Sequence, residues 1–213
     1  MTRDNPKTSS LRREKGNERR RLVLAATRKL LAQGPLEEIT LAEIASETDI
    51  PVSSLYHFYP NILNVYRDLT SQFTEELGNY LLKDMGGLQP DSWQQLTDAT
   101  IQSCADFYRA NPDYMQLILS GKAPAQVKST DREGDARIAQ ALLTVIGNFF
   151  DLPRVARLDD IFFNAVEMVD LFLSLDVMRN SQITDQGIEE AKRAFKSYLR
   201  TYLPEVLFPI HRK

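Results

Sequence analysis

Residues 40–59 read TLAEIASETDIPVSSLYHFY, from Thr40 to Tyr59. Thr40 stands where a helix N-cap is needed, and Glu43 three residues later completes a capping-box pattern. Leu41, Ile44 and Ala45 fall on one face of the short helix that follows. A break comes at Thr48-Asp49. Aspartate is among the few non-glycine residues that tolerate the left-handed region, so Asp49 suits a sharp turn. Pro51 then opens a second short helix at its first position, Val52 to Phe58, and Pro60 ends it. Two short helices about a tight turn form a helix-turn-helix. Leu41, Ile44, Ala45, Ile50 and Leu55 make its buried seam, and the small Ala45 lets the helices approach closely. The second helix is left with Val52, Ser53, Tyr56 and His57 on its outer face. A helix of this kind enters a DNA major groove, where side chains read base edges and hydroxyls meet phosphates.

Outward from this segment the chain reads as all-α, about nine helices. Residues 1–16 are polar and basic without periodicity and are expected to form a flexible arm. Asn17 caps a helix to about Gln33, stopped by Gly34-Pro35. A longer helix starts at Ile62 and runs to Gly86-Gly87. Asp91 or Ser92 restarts the chain through Trp93 to Phe107, and Asn111-Pro112 begins a short helix. Residues 121–129 are expected to be a loop, with Thr130 and Glu133 as a second capping pair. A very apolar helix covers roughly Leu158–Arg179, and a last one spans about Thr184 to Leu203. No alternating β-branched stretch competes with these assignments.

Charge is divided unevenly. Residues 1–30 hold ten Lys and Arg against three acids, a net +7, and the remainder is −10. A basic arm on an acidic body is the pattern of a polyanion binder, and also of a solvated tail. With 43% hydrophobic and 26% charged residues the composition is that of an ordinary globular protein. The single cysteine, Cys104, excludes an internal disulfide and a cysteine-rich zinc site. Two histidines, His57 and His211, leave no histidine cluster, so no metal site is expected. No Gly-rich phosphate loop and no nucleophile–base pattern is present, so neither an enzyme nor a cofactor is expected. The apolar runs are too short to span a membrane, and the N-terminus lacks a secretory h-region, so the expected location is cytoplasmic.

The sequence resembles the TetR (tetracycline-repressor) family of transcription regulators. The resemblance rests on Ala26, Leu30, Leu31 and Gly34, on Thr40 before Ile44-Ala45, and on Leu55-Tyr56-His57 with Phe58-Tyr59 and Pro60-Asn61. It covers roughly residues 17–77 and implies a three-helix DNA-binding domain there. Residues 78–213 would then be a C-terminal helical domain for ligand binding and dimerisation. Members usually carry Gly at Asp49, Ser at Pro51, Phe at Tyr59 and Lys-Glu at Ile62-Leu63. The loss of a backbone-binding lysine at Ile62 leaves phosphate neutralisation to the basic arm.

The resemblance implies double-stranded DNA as partner, contacted by Thr40, Val52, Ser53, Ser54, Tyr56 and His57. It also implies a homodimer built by the last two helices, with Phe172, Phe195, Tyr198 and Leu199 at the interface. The function that follows is a repressor released from a palindromic operator by a small, largely apolar effector. Aromatic residues of the middle region suit such a ligand, with Tyr108, Gln116 and Asn148 as groups able to orient it. The alternative reading is a helical interaction module whose basic arm binds an acidic partner.

Overall fold

A computed structural model describes residues 6–210, with side chains from Glu14 onward. Among the described residues nine α-helices follow one another: α1 Pro6–Leu31, α2 Leu41–Thr48, α3 Val52–Phe58, α4 Ile62–Met85, α5 Trp93–Ala110, α6 Pro112–Leu119, α7 Ala125–Phe149, α8 Leu158–Asn180 and α9 Asp185–Leu199. None is long and apolar enough to cross a membrane. The expected all-α fold, with a three-helix head ahead of a larger helical body, is present.

Three local expectations are corrected. The first helix begins at Pro6, not at Asn17, so most of the expected arm is helical. Residues 11–15, Leu-Arg-Arg-Glu-Lys, are good helix formers, and Gly16 alone does not stop them. Met1–Asn5 and His211 lie outside the described residues, as do the side chains of Arg12 and Arg13. Residues 125–129 are helical, since α7 starts directly after Pro124. Thr130 therefore sits inside the helix and donates to the Gln126 carbonyl at 3.2 Å instead of capping. Pro51 occupies the N-cap of α3 and not its first helical position.

The head folds as its pattern requires. Thr40 and Glu43 form a full capping box at the start of α2. Asp49 takes the left-handed conformation, with φ 54° and ψ 18°. Leu41, Ile44, Ala45 and Leu55 are buried in the seam, and the half-buried Ile50 packs against it. The Tyr66 hydroxyl of α4 donates to the Leu36 carbonyl at 2.8 Å, tying the head to the next helix. That helix runs unbroken through residue 77, so no chain break separates head from body there.

A second tie is ionic. Arg28 of α1 donates through Nε to Asp113 of α6 at 2.5 Å, and through Nη2 to Asn111 at 3.0 Å. Its Nη1 reaches Glu76 of α4 at 3.2 Å. The guanidinium lies over the Tyr114 ring, 4.2 Å from the centroid. Gln116 adds a bond to the Gly34 carbonyl at 2.8 Å. One arginine therefore holds α1, α4 and α6 together.

In the body, α8 and α9 pack side by side over α5, α6 and α7. Phe195 and Leu199 are fully enclosed within the chain. This corrects their assignment to a subunit interface, because their side chains are consumed by the chain's own core. The striped face of α9 is the inner one. Phe172 and Tyr198 keep partial exposure, while Leu171 and Met178 of α8 are 55% and 62% exposed.

The start of α9 is pressed against α8. Asp176 accepts from the Thr184 backbone N–H at 2.6 Å and from its hydroxyl at 3.0 Å. A Cβ on Gly187 would collide with the Asp176 carboxylate. We expect Gly187→Ala to cost about 1–3 kcal/mol, the range of overpacked sites. Equilibrium denaturation checks this, and an unchanged midpoint would contradict the close approach.

Candidate nucleic-acid interface

Helix α3 is held from below and open above. Leu55 is buried at its centre. At its C-terminal end the buried Tyr59 donates its hydroxyl to Asp68 of α4 at 2.8 Å. Arg20 of α1 meets the same carboxylate at 2.9 Å. Burial, then the Asp68 carboxylate, raise the Tyr59 hydroxyl's pKa above its ordinary value, so it remains a donor at neutral pH. These bonds fix the end of α3 between α1 and α4.

The opposite face carries the expected side chains. Val52, Ser53, Tyr56 and His57 are all exposed, and Tyr56 is 54% exposed. Spacings of one and four residues place them on one side of a helix. Ser54 is half-buried beside them. Thr40 is exposed at the start of α2, but its hydroxyl already accepts from the Glu43 N–H at 3.2 Å and donates to the Glu43 carboxylate at 2.9 Å. The structure thus brings five of the six residues to α3 and gives Thr40 a capping role. A phosphate bond from Thr40 would have to replace its bond to Glu43.

The face is suited to an anionic, grooved partner. No acidic residue lies in the first turn of α3, and His57 lies in its last. Next to it, Phe58 is exposed and meets His57 edge-on at 5.9 Å. The Arg19 guanidinium sits 5.7 Å from the Phe58 ring centroid. That pairing extends the α3 face onto α1 with a positive charge. It was not legible beforehand, because the aromatic pair Phe58-Tyr59 does not show which ring turns outward. Burial of Tyr59 on Asp68 decides it.

A groove of about 660 Å³ opens in the body between α4, α5 and α7. Leu81 and Met85 of α4, Thr100 of α5, and Ile138, Leu142 and Val145 of α7 are among its walls. Tyr108, Gln116 and Asn148 do not line it. Gln116 is engaged by Gly34, and Tyr108 is buried elsewhere.

Comparisons with known proteins agree with this architecture. Residues 23–67 match the model described as bacterial regulatory proteins, tetR family. Residues 91–203 match the tetracyclin repressor-like C-terminal domain. No curated protein matches the chain significantly. Among solved structures, a TetR-family transcriptional regulator from Streptomyces coelicolor superposes with TM-score 0.69 at 18% identity, over 86% of this chain and 98% of that one. A fatty acid degradation regulator, FadR, from Bacillus halodurans gives TM-score 0.62 at 11% identity, over 93% and 97%. A putative transcriptional regulator from Saccharomonospora viridis, in complex with choline, gives TM-score 0.58 at 11% identity, over 88% and 98%.

Proposed function

The chain belongs to the TetR family of transcriptional regulators, and on that premise we propose that it is a homodimeric repressor released from a palindromic operator by a small, largely apolar effector. The observation that carries this reading is the outer face of α3. Four side chains able to meet bases or phosphates project there from a helix whose other face is locked into the head. A family of this kind binds DNA and answers to small molecules, and the Saccharomonospora viridis relative was solved with choline. The groove between α4, α5 and α7 has the size and apolar lining of a small-molecule site.

The dimer supplies the second half-site. Its surface is the outer stripe of α8, where Met168, Leu171, Leu175 and Met178 recur every three or four residues. Phe172 and Tyr198 border it. Two such chains related by a two-fold axis present two α3 helices to successive major grooves, about 34–36 Å apart. The groove shares α4 with the head, so a ligand that shifts α4 alters that separation. Its effect on DNA binding equals its differential affinity for the two states, and DNA weakens ligand binding by the same factor.

Selection of genomic fragments by the full-length protein tests the reading. The expected product is one palindromic sequence, bound with a steep loss of affinity as salt rises. Recovery of unrelated fragments with no shared sequence would contradict it. Tyr56→Ala probes the face itself. We expect it to weaken binding to the selected operator by about 1–3 kcal/mol, with the helical circular-dichroism signal unchanged. Equal operator affinity in the folded variant would remove Tyr56 from the interface.

A further inference from the structure

The groove between α4, α5 and α7 has two unlike ends. Thr74 of α4 packs directly on Gly134 of α7. Glu75 and Arg137 follow that contact by one and three residues on their helices, and both line the groove. Met85 and Val145 line it eleven residues beyond the contact, about 16 Å further along each helix at 1.5 Å per residue. Between the two ends the walls are Leu82, Ile138 and Leu142. Charge is thus confined to the end nearer the DNA-binding head, and the apolar side chains lead away from it.

The polar groups of the groove fall into two sets. Its hydroxyls are spent within the chain: Ser71 donates to the Arg67 carbonyl at 3.1 Å, Thr74 to the Thr70 carbonyl at 3.2 Å and Thr100 to the Leu96 carbonyl at 2.9 Å. Glu75, Asn79 and Arg137 make no hydrogen bond or ion pair among the described residues. The floor is open as well. A neighbour presses on Gly134 and on Gly187, but a Cβ on Gly78 of α4 would meet no atom within 4 Å. Glycine inside a helix is unfavourable, and no packing within the chain accounts for this one. Leu82, one turn further on, is 71% exposed at the groove's mouth. An unpaired guanidinium, a bare stretch of backbone and an uncovered apolar wall therefore lie along one track.

Resting on the effector reading above, we propose that the ligand is a linear aliphatic carboxylate, which lies along α4 with its head on Arg137 and its chain over Gly78 toward Leu82 and Val145. The length of the track and its single charged end suit an extended chain better than a compact ring system. A guanidinium is a planar fork of donors that matches a carboxylate bidentately. Glu75, on the α4 wall near the same end, disfavours a head of higher negative charge. The apolar end rewards each methylene that leaves water, so affinity rises with chain length. Gly78 supplies the clearance, because any side chain there would stand where the aliphatic chain passes.

The test reads binding to the full chain without DNA. Isothermal titration with sodium decanoate is expected to show one molecule bound per chain, and sodium hexanoate should bind more than about tenfold more weakly. Arg137→Gln, at an exposed position, is expected to weaken decanoate binding by about tenfold. Gly78→Leu should abolish it while the helical circular-dichroism signal is kept. Arg193→Gln, at an exposed pair with Glu190 on α9, should leave it unchanged. Absence of decanoate binding at millimolar concentration would overturn the proposal. So would equal affinity in Arg137→Gln, or tighter binding of decylammonium chloride than of decanoate. Loss of self-association in Leu82→Glu, with no decanoate bound by the wild type, would assign the groove to a second copy instead. Operator titration in the presence of decanoate separates this proposal from the one it rests on. Arg137-dependent binding that leaves operator affinity unchanged would uphold the site and refute release by its ligand. Release by a molecule whose binding ignores Arg137 would do the reverse.

Discussion

A chain carrying both Leu171→Glu and Met178→Glu is expected to behave as a single 24.3 kDa species in solution, where the proposed dimer of the wild type would have twice that mass. Both side chains are more than half exposed on α8, and both lie on the outer stripe with Met168 and Leu175. A continuous apolar stripe of this kind is the surface proposed to be covered by a second copy of the chain. Introducing four negative charges at its two-fold repeat opposes burial without touching the core. The effect on DNA follows from valency. Two linked heads bind a palindrome about 100-fold or more tighter than one, so the variant should lose at least that factor. Light scattering and operator titration measure the two effects separately. A wild type that remains at the single-chain mass at micromolar concentration would refute the interface. Phe195→Glu cannot serve this purpose, since Phe195 lies in the core and a buried charge there is expected to unfold the chain.

The second large effect is expected at Arg28. Replacing it with Ala leaves Asp113 buried beside Tyr114 without its cation, and breaks the bonds to Glu76 and Asn111. Loss of one partner from a buried pair costs about 3–5 kcal/mol. Arg28 itself keeps 27% of its side-chain exposure, which argues for the lower end. The double variant Arg28→Ala with Asp113→Asn removes the orphaned charge and should recover most of the loss. Denaturation midpoints of the single and double variants test this. A single variant within about 0.5 kcal/mol of wild type would show that the junction is held by packing alone.

Much of the fold was legible because local and tertiary signals coincide. In the head, the capping residue, the turn aspartate and the seam residues all specify the same helix-turn-helix, and the structure adds only the direction of Phe58. Elsewhere a local pattern competed with a stronger one. Thr130 and Glu133 have capping spacing, yet the run from Ala125 continues helically through them. The face of α9 is the clearest case. Its stripe of Ala191, Phe195 and Leu199 marks burial, but periodicity cannot distinguish burial in a core from burial against a second chain. The surface proposed for the interface lies instead on α8, a helix apolar nearly all round, where only packing reveals which side is left uncovered. The approach of Asp170 of α8 to Asp131 and Asp135 of α7 was illegible for a related reason. Asp131 and Asp135 are ordinary i, i+4 acids until α8 brings Asp170 to them.

The tail after α9 ties down the start of α5, because the Pro204 carbonyl accepts from the Trp93 indole N–H at 3.1 Å. Trp93 is fully buried, and it is the chain's sole tryptophan. The protein therefore carries an internal fluorophore seated entirely in the body, in a site whose polarity is set by one backbone bond. Rearrangements confined to the head are optically silent at tryptophan wavelengths. A change in emission on adding operator DNA is expected to travel through α4, the Arg28 junction or the Gln116–Gly34 bond to reach α5, which makes the native chain its own reporter of communication between the two parts.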